Sequence, residues 1–371
     1  MSTLEFYVIN FMPYPFIPPG EDLESSWVVL SNQHYDPRIG HQLYRQYLDM
    51  SIAAERLGFD GVLTNEHHQT AYGLMPNPNL PAAWIAAHTE RIRIGVMGNV
   101  LNTHLNPMRV AEDIAMLDVM SGGRMISGFV FGTGMEYHSY GINPATGRER
   151  FWEAHDLIMK SWTEPGPFAW EGRHFHLPYV NPWPRPLQQP HPPVWLPGVS
   201  SLETIEAAAR NRYTFMQVFS PRSALARACR MYREAAEGFG YKAHPNQLAA
   251  TAMIYVAETD EQARREAEPH IMWFVRNGLK TPTYHLLPPG YTSTRSLRSI
   301  LTSAEEVIPS FRASDGKPVW AREERPAVHT LTEHAATVGK PKAAPLVRMD
   351  GVGLVDSATA HVPELRKAVR E

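Results

Sequence analysis

Apolar positions follow two alternating patterns over the first 220 residues: short, nearly continuous runs, and longer stretches returning every third or fourth residue. The short runs predict strands at Leu4–Phe11, Asp60–Asn65, Arg91–Val100, Met125–Gly132, Pro193–Gly198 and Thr214–Phe219. The longer stretches predict helices between them: His41–Phe59, Ala82–Thr89, Asn106–Arg124, Arg148–Trp162 and Ser200–Arg210. The third has the clearest signals. Asn106 suits the N-cap and Pro107 the first helical position, Val110, Ile114 and Leu117 form the apolar stripe, and Gly122 or Gly123 supplies the stop.

Strands alternating with helices imply βαβ units, a parallel sheet and right-handed crossovers. Two later runs, Ala249–Ala257 and Gly351–Ala358, bring the expected strands to the eight of a closed barrel. The predicted fold is therefore α/β, a (β/α)8 TIM barrel with long loop insertions and an irregular C-terminal part, as one domain over residues 1–371. A doubly wound open sheet is the alternative. Proline-rich stretches at Val180–Trp195 and after Gly278 mark the long connections, and loops of that length are usually functional.

Charge and cysteine content narrow the partners. A formal net charge of −3 with interspersed signs offers no basic patch for nucleic acid or an anionic membrane. One cysteine, Cys229, excludes an internal disulfide and a Cys-based zinc cluster. No signal-peptide pattern opens the chain and no apolar run is long enough to span a bilayer, so a cytoplasmic protein is expected.

In either α/β architecture ligands bind at the C-terminal ends of the strands. There the second strand runs into Glu66, His67 and His68. Converging metal ligands, a proton-handling histidine and an ordinary polar loop are the three readings. Neighbouring side chains on an extended strand end point to opposite faces, so Glu66 and His68 share one face and His67 takes the other. That argues against a metal, whereas an imidazole suits proton transfer near neutral pH. Gly98 and Asn99 lie at the end of the third strand with His104 close behind, and Gly128–Gly141 runs from the end of the fourth. Ser200, Ser201 and Thr204 open a helix after the Pro193–Gly198 strand, where free N–H groups and hydroxyls suit either phosphate or a plain N-cap. His174 and His176 fall on one face of an expected hairpin strand and are assigned to packing or solvent.

These segments together resemble the bacterial luciferase-like flavin monooxygenases. The resemblance lies in GFDGVLTNEHH, RIRIGVMGNVLNTHLNPMRVAEDIAMLDVMSGGR, GFVFGTGMEYHSYG, RERFWEAHDLIMKSW and PPVWLPGVSSLETIEAAARNRY, in the family's order over about Leu4 to Phe219. It implies a (β/α)8 barrel, often a homodimer, that holds reduced FMN from a separate flavin reductase and oxidises a small-molecule substrate with O2. It implies His67 as the catalytic residue beside the flavin and Asn99 at the ring edge. Met97 and Gly98 fall where many members have a cis peptide, and Ser200, Ser201 and Thr204 match the phosphate loop. His68, Phe131, Tyr137 and His138 are the candidates for a substrate pocket.

Two departures qualify the match. Phe131 stands where many members carry an arginine that pairs with the flavin phosphate, and an apolar ring removes that contact. The last βα unit is short and lacks a closing pattern. An F420-dependent hydride-transfer enzyme on the same barrel, and a degenerate barrel kept as a binding protein, are the alternative readings.

Overall fold

The computed structural model describes residues 4–18, 23–199, 201–282 and 285. The chain divides into two compact units, Met1–Arg325 and Pro326–Glu371, and every described residue belongs to the first. Its elements run β1 (Tyr7–Ile9), α1 (Pro37–Arg56), β2 (Gly61–Thr64), α2 (Asn79–His88), β3 (Arg93–Val100), α3 (Met108–Met120) and β4 (Met125–Val130). Then follow α4 (Gly134–Tyr140), α5 (Pro144–Thr163), β5 (Phe168–Glu171), β6 (His176–Val180), β7 (Val194–Gly198), α6 (Leu202–Arg210), β8 (Thr214–Gln217), α7 (Arg222–Gly238), β9 (Leu248–Ala250) and α8 (Asp260–Trp273).

Among the described residues, seven strands form one parallel sheet in the order β1-β2-β3-β4-β7-β8-β9. β5 and β6 form a separate antiparallel hairpin. The order follows the chain, so the sheet curls progressively in one direction as a half-barrel. Closure into an eightfold barrel is not seen among the described residues, where β1 pairs only with β2 and β9 only with β8. The expected eighth strand, Gly351–Ala358, lies outside them.

Alternation along the strands sorts the core into two layers. The inner face carries Leu63, Met97, Ile126, Trp195 and Met216, with Tyr7, Ile9, Val218 and Ala249 packed against them. The outer face turns Val62, Ile94, Val96, Phe129, Leu196 and Phe215 toward the helices, where Ile114, Phe151, Leu157, Ile158, Trp162 and Ile205 meet them. Strands apolar on both faces are what a parallel sheet under helices requires.

Three elements depart from expectation. The strand expected over Ala249–Ala257 ends at Ala250, because β8 stops at Gln217 and the Thr251 N–H makes the last cross-strand bond to the Gln217 carbonyl. Beyond it Met253, Ile254, Tyr255 and Val256 are exposed. α3 starts one residue late, with Pro107 in the cap position, although the Asn106 Oδ1 still accepts from the Met108 N–H at 3.0 Å. In the hairpin His176 opens β6, but His174 sits in the turn, where the Glu153 carboxylate accepts from the N–H groups of Arg173, His174 and Phe175.

The SGGR segment after α3 has a structural task. The Arg124 guanidinium donates to the carbonyls of Ser121, Ile92, Ala86 and Thr89 and to the Thr89 hydroxyl, at 2.8–3.1 Å. One fork thus ties the C-termini of α2 and α3 to the start of β3, placing a cation where helix dipoles favour one. Arg124→Ala should lower stability by about 2–4 kcal/mol, several hydrogen bonds being lost together, and the urea unfolding midpoint measures it.

Candidate active site

The C-terminal ends of β2, β3 and β4 converge on the candidate site. Just beyond β2, Glu66 and His68 do share a face: His68 Nε2 lies 2.5 Å from Glu66 Oε1. The same carboxylate accepts from the Val100 N–H at 3.0 Å and from the Thr103 hydroxyl at 3.0 Å. The Tyr140 hydroxyl lies 3.0 Å from His68 Nδ1. Glu66 and His68 are therefore buried ties between the end of β2, the loop after β3 and α4. His104 Nε2 approaches Glu66 Oε2 to 4.0 Å, and burial pushes the His104 imidazole below its ordinary value.

His67 takes the opposite face. Its Nδ1 lies 3.0 Å from Oε1 of Glu136 on α4. The Glu136 side chain is fully buried, and its other oxygen accepts from the Thr133 N–H at 2.6 Å and the Thr133 hydroxyl at 2.8 Å. Burial alone would raise the Glu136 carboxyl; the hydrogen bond and charge of His67, with the two Thr133 donors, outweigh it and hold the carboxyl below its ordinary range. An ionised carboxylate only accepts, so the proton between them sits on Nδ1 of His67. His67 Nε2 has no hydrogen-bond partner among the described residues. Around the imidazole, Phe11 stacks at 6.1 Å and Tyr72 meets it edge-on at 4.9 Å, while Phe219 packs against Phe11 at 5.3 Å.

The floor of the site is the inner face. The Met97–Gly98 peptide bond is cis. A Cβ on Gly98 would lie 2.6 Å from the Gly128 backbone, so only glycine permits this approach of β3 to β4. Asn99 is fully buried and pairs in register with Phe129, which faces the helices. Its Oδ1 accepts from Asn79 Nδ2 at 3.2 Å, so the Asn99 side chain belongs to the helix layer at the start of α2.

The expected phosphate loop is the N-terminus of α6. Ser201 is its N-cap and Thr204 is buried in the first turn, while Ser200 lies outside the described residues. The Phe131 ring stacks on Phe151 at 3.8 Å. Arg148 of α5 supplies a cation at this end: its guanidinium lies 5.8 Å from the Phe131 centroid and pairs with Glu203 in the first turn of α6. Glu203 also accepts from the Trp152 indole at 2.8 Å.

The remaining expected pocket residues lie around α4. The Tyr137 hydroxyl accepts from Asn102 at 3.2 Å and sits under Gly147 at the start of α5. His138 is exposed and meets the His285 ring edge-on at 5.0 Å. Glu136 and Arg148 were not singled out from the sequence. The Thr-x-x-Glu spacing of Thr133 and Glu136 is a helix-start signature that would have located the first. Arg148 gave no signal, because its role depends on α5 and α6 being neighbours.

Among the described residues no group of three or more His, Cys, Asp or Glu is placed to hold a metal ion, and no helix is long and apolar enough to cross a membrane. A flavin fits what is present: an apolar floor, an imidazole with one open nitrogen, and a helix N-terminus with an arginine beside it.

An uncharacterised protein of Sinorhizobium fredii is 32% identical over 255 residues, covering 67% of this chain and 73% of that protein. The oxygenase component of a flavin-dependent trigonelline monooxygenase from Acinetobacter baylyi is 31% identical over 164 residues, 43% of this chain and 45% of its own. Among solved structures, the monooxygenase RslO1 of Streptomyces bottropensis superposes with a TM-score of 0.60 at 26% identity, covering 83% of this chain and 82% of that one. An F420-dependent secondary alcohol dehydrogenase, at 19% identity and a TM-score of 0.51 over 69% of this chain and 80% of its own, shares the fold. The sequence model of the luciferase-like monooxygenases matches residues 24–351. With the curled parallel sheet and the site at its strand ends, this match places the chain in the luciferase-like monooxygenase family.

Proposed function

We propose that the chain is the oxygenase component of a two-component flavin monooxygenase, working in the cytoplasm on reduced FMN from a separate reductase. The observation that carries this reading is the His67–Glu136 pair at the mouth of an apolar half-barrel. Bound reduced FMN would supply the electrons with which O2 is reduced as one oxygen atom passes to a small organic substrate and the other leaves as water. The chain's own residues supply the rest. Glu136 fixes the His67 tautomer with the proton on Nδ1 and stabilises the imidazolium that forms when Nε2 takes a proton, so His67 both accepts and returns protons at Nε2. Phe11 and Tyr72 pack on that imidazole, with Phe219 behind Phe11, and make its surroundings apolar. Met97 and Gly98 would lie against the ring, while Ser201, Thr204 and the Arg148 guanidinium would hold the phosphate.

Anaerobic calorimetry with reduced FMN, followed by oxygen uptake in a reductase-coupled assay, tests the reading. Saturable binding and oxygen consumption are expected. Absence of binding refutes it, and tight binding of reduced F420 without oxygen uptake selects hydride transfer.

A homodimer forms part of the same proposal. Leu80 and Trp84 on α2 and Met116, Val119 and Met120 on α3 are exposed on the outer helix layer. Such apolar surface favours a second copy. Light scattering should give twice the 41.9 kDa chain mass, and the double variant Trp84→Glu, Met120→Glu should give the monomer.

A further inference from the structure

Asn65 is 3% exposed, and neither its Oδ1 nor its Nδ2 has a hydrogen-bond partner among the described residues. Burying an amide without partners is costly, so a carboxamide with both functions open calls for a partner from outside the chain. Its direction follows from the alternation along β2. Leu63 packs with Met97 and Ile126 on the inner face, Val62 faces the helices, and His67 lies opposite the Glu66–His68 pair. Asn65 stands between Leu63 and His67 with the same parity, so its carboxamide belongs to the inner face. It precedes the His67 imidazole by two residues, roughly 7 Å along an extended chain, which is within the width of a tricyclic ring.

A carboxamide offers one acceptor and one donor side by side, and its complement is an adjacent N–H and C=O on a ring edge. The pyrimidine end of a flavin carries that edge at N3–H and its flanking carbonyls. Asn99, the asparagine expected at the ring, lies on the helix side of the sheet, where its Oδ1 accepts from Asn79 and its Nδ2 is buried without a partner among the described residues, so its carboxamide does not face the ring. We infer that Asn65 is the residue that reads the imide edge of the flavin, its Oδ1 accepting from N3–H and its Nδ2 donating to a neighbouring carbonyl. The inference rests on the flavin reading above and adds the residue that recognises the ring.

The test compares reduced FMN with reduced 3-methyl-FMN, which lacks the N3–H donor, by anaerobic calorimetry on the full chain. The wild type should bind 3-methyl-FMN about 10- to 100-fold more weakly than FMN. Asn65→Leu should weaken FMN by a similar factor and bring the two flavins to within about 3-fold of each other. Asn65→Asp keeps an acceptor but sets an anion against the carbonyl, and should also lose FMN affinity; circular dichroism and thermal melting report whether either variant is folded. The wild-type comparison needs no variant. Equal affinity of the wild type for the two flavins overturns the inference, as does a folded Asn65→Leu that keeps the wild-type ratio, and both leave flavin binding itself standing. A wild type that binds neither flavin overturns the flavin reading, and the assignment of Asn65 with it.

Discussion

Replacing Glu136 by alanine should lower the stability of the fold by about 3–5 kcal/mol, the cost of breaking a buried, hydrogen-bonded pair. The substitution strands the Thr133 N–H, the Thr133 hydroxyl and Nδ1 of His67, all of which now donate to one fully buried carboxylate. The pH dependence of the wild type carries the same signature. The carboxyl is held below its ordinary value of 4.5, so the unfolded chain takes up the proton first as pH falls. The stabilisation from Glu136 is therefore complete above the unfolded value and is lost progressively as pH drops from there through the lower folded value. Urea unfolding midpoints between pH 7 and pH 3 should fall steeply for the wild type. Glu136→Gln, which keeps the shape without the charge, should start lower and fall less.

On the proposed function, His67→Gln should lower turnover about 10²- to 10⁴-fold while reduced FMN still binds, because it removes the assigned proton carrier and leaves the apolar floor and the α6 end intact. Stopped-flow reoxidation of the protein-bound flavin and anaerobic titration separate the two effects. A fall in FMN affinity as large as the fall in turnover would make His67 a binding residue and remove its assignment as proton carrier. Glu136→Gln should give an intermediate loss with an altered pH profile, since its amide can still meet the imidazole but cannot stabilise the imidazolium.

The alternating pattern carried the parallel order because each βα unit in the half-barrel is local: the ends of β2, β3 and β4 and of α1, α2 and α3 lie within four residues of those expected. The opposite facing of His67 and His68 was legible for the same reason, since strand parity needs no tertiary information. What the sequence hid is non-local. Glu136 meets His67 across 69 positions, and Arg148 reaches Glu203 only because α5 and α6 pack side by side. Asn99 looked suited to the ring by position, but the register shift between Val96 and Asn99 aligns it with Phe129 on the helix side. α4 lay unmarked within the glycine-bearing stretch after β4, as a seven-residue helix shows too little periodicity to stand out. α7 left its trace in the four-residue spacing of Ala224, Ala228, Tyr232 and Ala236, all buried.

The contact between Arg148 and Glu203 bears on how long a flavin stays. Any phosphate that draws on Arg148 must first compete with a carboxylate already in place, itself steadied by the Trp152 indole. On the proposed function the guanidinium would exchange one anion for another, so the phosphate end would contribute little net grip, and the displaced carboxylate would remain nearby to reclaim its partner. Retention then rests on the ring end of the site, and the molecule resembles a docking berth with a quick-release mooring. On the proposed function, a protein that receives its flavin from elsewhere and hands it back at every cycle would gain from that looseness: residence time, rather than affinity alone, would be the property this pair sets.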